Sequence, residues 1–278
     1  MSAIALALGS AFTWGCADFL GGLLTRRVAV AAVTVFSQGA GFIALLVWLA
    51  AEGFHLDARA FGIAALGGLG GGIGLAAYYK ALAVGTMSVV APVAACGAVI
   101  PFGISLATGE RPSGIALAGA VVALGGAVLA SVEERRSDDA GRRRGVLLAV
   151  VAAITLGLFV YFLGLAGQQG ETLSALFGAR VGSLSLLLVA VAVTRAALRV
   201  SPPSLAAAAG IGLVDTGANA MFVLASARGY LSIVSVLASL YPVVPVVAGH
   251  LFLSERISWP QRAGVALALG GVAAVAYG

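Results

Sequence analysis

Charged side chains are rare in this chain, and five that can carry a charge lie inside long apolar stretches. Only 10% of the residues are charged, whereas 61% are hydrophobic. A charge at the centre of a bilayer costs about 2.5–3.5 kcal/mol on insertion scales, so each such residue needs a partner, a watery cavity or a function. These residues are Asp18, Lys80, Arg180, Asp215 and His250.

Asp18 follows Trp14 by four residues, so the two side chains share one face of a helix. An indole and a carboxylate can therefore point into the same cavity. A carboxylate removed from water can exchange protons near neutral pH, and it can also bind a cationic group. The alternative is a structural role near the helix end, with Arg26 or Arg27 as the partner.

Arg180 and Asp215 fall near the middle of two consecutive apolar stretches, at similar depth. We therefore expect an ion pair, which either lines a binding site and opens when substrate binds or has a purely structural role. Asn219 follows Asp215 by four residues and shares its helix face. Its amide can bind substrate or join neighbouring helices.

Aromatic residues and the single lysine complete the candidate binding set. Lys80 follows Tyr78 and Tyr79 near a predicted helix end, where its side chain either binds substrate or extends to the membrane interface. His250 has the same two interpretations. We expect Tyr161, and Tyr241 beside Pro242, to line the same site.

Proline residues predict where helices break. Pro92 and Pro101 fall in the fourth apolar stretch, and Pro242 and Pro245 fall in the ninth. Proline lacks an N–H and leaves a backbone carbonyl without its helical partner. Breaks in corresponding segments of two halves indicate a binding site and its gates.

The elements that position these residues are membrane helices. The mean hydropathy is +1.07, and the apolar runs are continuous rather than alternating, which favours helices over a membrane barrel. A spanning helix needs about 20 apolar residues. The sequence predicts an all-α polytopic membrane protein with spans at 3–24, 31–51, 60–83, 87–108, 113–131, 145–166, 172–194, 204–227, 231–253 and 259–277.

The two halves of the chain resemble each other around a polar linker at 132–144. Gly85-x-x-Ser88-x-Val90 matches Gly229-x-x-Ser232-x-Val234 at an offset of 229 − 85 = 144, and Glu110-Arg111 matches Glu255-Arg256. Thr13-x-Gly15 and Phe19 match Thr155-x-Gly157 and Tyr161. We therefore predict repeats at 1–131 and 145–278. Five spans in each repeat invert the second relative to the first and place a site near the membrane midplane.

These features resemble the drug/metabolite transporter superfamily, in particular its ten-helix group with two EamA repeats. The resemblance covers essentially the whole chain. It is carried by Trp14-Gly15, the Gly-x-x-Ser-x-Val openings, the Glu-Arg pairs and the glycine-rich fifth and tenth spans. It implies transport of amino acids, other small metabolites or drugs, coupled to protons or another gradient. It also implies that helices 5 and 10 are peripheral and that the others line the cavity.

The distribution of arginine predicts an orientation. The side that holds the linker carries 11 arginine residues in its loops, against 3 on the other side. The positive-inside rule then places residues 132–144 in the cytoplasm and both termini outside. The resemblance implies the opposite, with both termini in the cytoplasm. The ratio of 15 arginine residues to one lysine, with abundant alanine and glycine, suggests a GC-rich bacterial genome. We therefore expect the protein in a bacterial cytoplasmic (inner) membrane.

The motifs of other function classes are absent from the sequence. It contains no phosphate-binding Gly-x-x-x-x-Gly-Lys, no His-Glu-x-x-His and no Gly-x-Ser-x-Gly. Cys16 and Cys96 have no metal-type spacing. We expect no enzyme activity, cofactor, metal or nucleic-acid partner. The expected partners are a small molecule, protons and the bilayer, for a monomer or homodimer.

The main prediction is a secondary-active transporter that works by alternating access. Two alternatives remain open. A flippase for a lipid-linked head group needs a lateral opening lined by small residues. The other is a membrane-embedded enzyme or a non-transporting scaffold, and an enzyme should show clustered acid, base or metal groups.

Overall fold

The computed structural model describes residues 2–84, 90, 93–130, 139–245, 247–248 and 259–277. In these ranges the chain is helical and has no strand, which confirms the predicted all-α class. A short 3-10 helix, Cys96–Ala98, precedes the fourth of ten α-helices. The helices are α1 Ala3–Thr25, α2 Val30–Ala51, α3 Ala58–Val84, α4 Val99–Ala107, α5 Gly114–Ala130, α6 Asp139–Gly167, α7 Thr172–Thr194, α8 Pro202–Ser226, α9 Leu231–Ala238 and α10 Trp259–Tyr277.

Several helices begin at a small polar residue that caps their first turn. The Ala5 N–H donates to Ser2 Oγ at 3.2 Å, and the Ala60 N–H donates to Asp57 Oδ1 at 2.6 Å. Such side chains accept from the backbone N–H groups that have no partner inside the helix. α6 begins at Asp139, six residues earlier than the predicted span, so the end of the polar linker is helical.

In the described part of the chain, six helices are long and apolar enough to cross a membrane. They are Ala3–Thr25, Val30–Ala51, Ala58–Val84, Arg144–Gly167, Thr172–Thr194 and Pro202–Ser226. Four shorter apolar helices of 10–17 residues complete the predicted ten: Val93–Ala107, Gly114–Leu129, Leu231–Pro245 and Arg262–Val275.

The helices of the two halves pack in matching pairs. Helices α1 to α5 correspond in order to α6 to α10. α3 packs against α6 and α7, and its counterpart α8 packs against α1 and α2, which are the counterparts of α6 and α7. α2, α4 and α5 each pack against their own counterparts, which are α7, α9 and α10. A pattern that is unchanged by exchange of the halves indicates a pseudo-two-fold axis between them. Because each half has five helices, this axis corresponds to an inverted repeat.

The fourth and ninth predicted spans are both interrupted, at equivalent positions. The 3-10 helix Cys96–Ala98 separates α4 from the helical residues before it, and α9 ends in turns over residues 239–242. The offset of 144 relates these segments, since 96 + 144 = 240 and 98 + 144 = 242. Pro101 and Pro245 follow the breaks by three residues and cannot donate to the carbonyls of Gly97 and Tyr241. Both breaks therefore have the same local cause.

A glycine of the opposite half fits against each break. A Cβ on Gly15 of α1 would overlap the Tyr241 carbonyl, and a Cβ on Gly157 of α6 would overlap the Gly97 carbonyl. Gly15 and Gly157 are themselves related by the repeat, as are Gly97 and Tyr241. Each half thus contributes one broken helix and one glycine that lets the other half approach it.

Candidate functional site

A cavity of about 110 Å³ lies where the two halves meet. Its described wall is formed by α1, α2, α3 and the segment before α4 from the first half, and by α6, α7, α8 and the α9 segment from the second. No described residue of α5 or α10 contributes, which agrees with the peripheral position that the resemblance implies. These two helices pack against each other. Seven of the predicted site residues line the cavity: Trp14, Asp18, Tyr78, Arg180, Asp215, Asn219 and Tyr241.

Arg180 is the centre of a buried polar network. Its guanidinium donates to Asp215 Oδ2 at 3.0 Å and to Thr216 Oγ1 at 2.9 Å. Its other terminal nitrogen donates to Gln38 Oε1, which also accepts from Ser183 Oγ at 2.8 Å. The expected pair of Arg180 and Asp215 is therefore present, with the arginine side chain 6% exposed and the aspartate 21%. This bonding compensates the desolvation of the guanidinium.

Asn219 completes the network and leaves one acceptor unused. Its Nδ2 donates to the backbone carbonyl of Asp215 at 2.7 Å and to the Asp215 carboxylate at 3.1 Å. Because both partners are acceptors, the amide NH2 must face them and the orientation of the group is fixed. Its Oδ1 is buried and has no hydrogen-bond partner among the described residues. A buried acceptor in a cavity wall marks a place where a donor from a ligand can bind.

Asp18 of α1 also lines the cavity, but its carboxylate is not bonded as that of Asp215 is. Within the described ranges it accepts no hydrogen bond and forms no ion pair, although it is near enough to Asp215 and the tyrosines to interact electrostatically. Arg26 and Arg27, the partners of the alternative interpretation, form no ion pair with it. The structure thus brings two carboxylates to one cavity, of which one is paired with Arg180.

Aromatic rings form much of the remaining wall. Trp14 packs on Phe222 of α8, with ring centroids 5.5 Å apart. Tyr78 meets Tyr241 edge to face at 6.4 Å, so one ring comes from each half. Tyr241 is positioned by the break after α9, which turns its side chain into the cavity. The wall therefore combines few charges with large apolar faces.

Three predicted binding residues do not line this cavity. Tyr79 is buried against Gly21, one helix position away from the face that carries Tyr78. Lys80 is exposed at the outer surface of α3, and Tyr161 packs beside Phe162 with centroids 5.5 Å apart.

The three described gating prolines do not line the cavity. Pro242 lies within the break after α9, and Pro101 and Pro245 follow the two breaks. Some predicted features lie outside the described residues: Pro92, His250, the Glu255-Arg256 pair, and residues 85–89 of the first Gly-x-x-Ser-x-Val opening.

Gln38 and Ser183 are cavity residues that the sequence reasoning missed. Both are uncharged and buried, so composition and hydropathy do not distinguish them. The repeat itself carries a signal, because the offset of 142 that relates Thr13 to Thr155 also relates Gln38 to Arg180 (38 + 142 = 180). The two residues are symmetry counterparts, and they contact each other across the axis between the halves.

The same offsets show how the two halves differ at the cavity. Trp14 and Asp18 of α1 correspond to Leu156 and Val160 of α6, since 14 + 142 = 156 and 18 + 142 = 160. Gly71 of α3 corresponds to Asp215 of α8 (71 + 144 = 215). Both members of each pair line the cavity. The backbone positions repeat, but their side chains do not.

Comparison with known proteins agrees with this architecture. A solved crystal structure of a protein superposes on this chain with a TM-score of 0.77, at 18% identity, over 98% of this chain and 94% of that chain. This similarity establishes a shared fold. No curated protein sequence matches the chain.

A polytopic helical protein with a polar cavity between two repeated halves is the general architecture of a membrane transporter. The sequence profile of the EamA-like transporter family matches residues 1–132 and 143–277, once for each half. The chain belongs to the EamA-like transporter family, as the resemblance of its motifs predicted, and it is an integral membrane protein.

Proposed function

We propose that this protein is a secondary-active transporter that moves a small metabolite by alternating access. The substrate class includes amino acids and small drug-like compounds, and movement is coupled to protons or another gradient. The observation that supports this function best is the cavity itself. It is built from both halves, and its buried polar groups come from helices that pack across the axis.

The matched helix breaks supply a mechanism for alternating exposure. α1 packs on the break after α9, and α6 packs on the break before α4. An inverted repeat relates these two contacts by an exchange of the two faces of the membrane. Opening one contact while the other stays closed gives the cavity access to one side at a time.

The polar groups have separate roles in this proposal. The network of Arg180, Asp215, Gln38 and Asn219 holds α2, α7 and α8 together at one wall and fixes the position of the acceptors that face the substrate. Asp18 is free to bind a proton or a positively charged group, because no described residue neutralises it. Binding and release of a proton or a cationic group by this carboxylate couples substrate binding in the cavity to the gradient that drives transport.

We place the protein in a bacterial cytoplasmic membrane with residues 132–144 in the cytoplasm. The arginine count of the loops supports this orientation. A reporter enzyme that is active only in the periplasm, fused after Gly278, should be active. A fusion that is active only with a cytoplasmic reporter would reverse the orientation.

Transport is tested with proteoliposomes that are filled with a mixture of amino acids and other metabolites, so that the substrate need not be chosen in advance. After a proton gradient is imposed, mass spectrometry of the outer solution identifies the solutes that cross. At least one solute should cross with the wild-type protein and not with protein-free vesicles. Asp18→Asn should stop this movement, whereas Glu171→Gln, which removes an exposed carboxylate, should not. Equal movement with Asp18→Asn would contradict the coupling role.

A further inference from the structure

We infer that the cavity binds a small organic cation with hydrogen-bond donors, such as an alkylammonium or a guanidinium compound, with Asp18 as its counter-ion. This inference rests on the proposed function and names the substrate class of the same site. It follows from which groups of the cavity wall already have partners and which do not.

The positive charge of the described wall is already neutralised. Arg180 donates to Asp215, Thr216 and Gln38, three acceptors that the protein itself supplies. An anionic substrate would have to displace Asp215 from the guanidinium and leave that carboxylate unpaired. The arrangement therefore disfavours a carboxylate or phosphate ligand at this cation.

Of the three charged side chains in the described wall, Asp18 alone has no partner, whereas Arg180 and Asp215 pair with each other. The uncharged donors Gln38 Nε2 and Trp14 Nε1 also form no hydrogen bond with a described residue. Asp18 has no hydrogen bond or ion pair within the described ranges. Asn219 is 4% exposed, and its Oδ1 has no partner among the residues that the structure describes, while its NH2 donates to Asp215. Ser235 and Ser239 donate to the carbonyls of Ser232 and Val236 at 3.0 and 2.7 Å, so only their lone pairs remain for a ligand. A ligand that satisfies Asp18 and these acceptors brings a positive charge and hydrogen-bond donors.

The apolar part of the wall fits an organic cation better than a bare metal ion. Trp14, Tyr78 and Tyr241 present aromatic rings to the cavity, and such rings attract cations through their π faces. In the described part of the chain, no three His, Cys, Asp or Glu residues cluster to hold a metal ion. The volume of about 110 Å³ is somewhat below the roughly 150 Å³ of an engineered cavity that holds benzene, so the ligand has few heavy atoms.

Three ligands of matched size test the inference on the purified wild-type protein: n-butylammonium, 1-butanol and butyrate, at constant ionic strength in sodium chloride. Thermal unfolding measures binding, since a ligand stabilises the folded state according to its concentration relative to its dissociation constant. We expect n-butylammonium to raise the Tm in a saturable way, and 1-butanol and butyrate to leave it unchanged. Equal stabilisation by the alcohol or the anion, or full stabilisation by sodium ion alone, would overturn the inference.

Two variants locate the bound cation. Asp18→Asn should weaken n-butylammonium binding by about tenfold or more, because a charge-assisted hydrogen bond is lost, whereas Glu171→Gln should bind as the wild type does. Undiminished binding to Asp18→Asn would contradict the role of this carboxylate. The three-ligand comparison needs no variant, so it holds even if Asp18→Asn fails to fold. Transport of a neutral or anionic solute without cation binding would refute this inference alone, and cation binding without any transport would refute the proposed function alone.

Discussion

At matching positions of the two halves, the cavity wall carries different side chains on the same backbone. α1 presents Trp14 and Asp18 where α6 presents Leu156 and Val160, and α8 presents Asp215 where α3 presents Gly71. The helix breaks and the glycines that fit against them are retained in both halves. Under the proposed function, the repeated backbone provides the movement and the divergent side chains provide recognition. Substitutions in the shared features should act equally in both halves, and those in the divergent features should not.

The largest effect on stability is expected at the ion pair of Arg180 and Asp215, which the first half does not repeat. Asp215→Ala leaves the buried Arg180 guanidinium without its counter-charge, which costs about 3–5 kcal/mol of unfolding free energy. Chemical denaturation in detergent measures it. The double variant Arg180→Ala with Asp215→Ala should lose less than the sum of the two single variants, because it leaves no unpaired charge.

The exchanged pair, Arg180→Asp with Asp215→Arg, should retain folding. A loss below about 1 kcal/mol for Asp215→Ala would mean that the pair contributes little and that another group neutralises Arg180. In that case Asp215, which is paired, would not differ from Asp18, which is unpaired within the described ranges, in the way that the account requires.

The next largest effect is expected at the shared glycines. Gly15→Ala and Gly157→Ala place a methyl group against a backbone carbonyl of the broken helix, and overpacking of this kind costs about 1–3 kcal/mol. The two losses should be similar, because the two contacts are symmetry counterparts. Thermal unfolding of both variants measures this similarity.

Gly217→Ala provides the matched control, since a Cβ at Gly217 meets open space on α8. It should be neutral or stabilising by up to about 1 kcal/mol, as alanine is the better helix former. Tolerance of alanine at only one of Gly15 and Gly157 would show that the two halves do not pack in the same way.

A smaller effect is expected where the first half caps a helix of the second. The Glu110 carboxylate accepts from the backbone N–H groups of Leu231 at 2.7 Å and Ser232 at 2.9 Å, at the start of α9. Glu110→Gln removes the negative charge and one of these acceptors, with a cost of about 1 kcal/mol. Glu171→Gln is the comparison, because Glu171 precedes α7 without a side-chain cap. Equal melting temperatures for the two variants would exclude a stabilising cap at Glu110.

The sequence predicts the number of helices and the repeat well, because both depend on local hydropathy and on residue order. It predicts the pair of Arg180 and Asp215 because charges are rare enough to be conspicuous. It misses Gln38 and Ser183, whose role depends on contacts between helices far apart in the chain. It assigns the adjacent Tyr78 and Tyr79 both to the site, although neighbouring residues point about 100° apart on a helix and only one lines this cavity.

The helix breaks also show a limit of sequence reasoning. The prolines predict interruptions in the fourth and ninth spans, but the breaks themselves lie a few residues before Pro101 and Pro245. A proline removes the hydrogen bond to the residue four positions earlier, so its effect is displaced toward the N-terminus. Tyr241 reaches the cavity because of this displacement, which hydropathy alone does not reveal.

Labelling of a single cysteine in the cavity tests the central claim most directly. Ser239→Cys, in a background with Cys16→Ala and Cys96→Ala, places one thiol at the break after α9, where Ser239 is 7% exposed. A thiol reagent that cannot cross the membrane should modify it from either face of oriented proteoliposomes, while the vesicles keep an imposed proton gradient. Labelling from one face only, or labelling from both faces with immediate collapse of the gradient, would contradict alternating access.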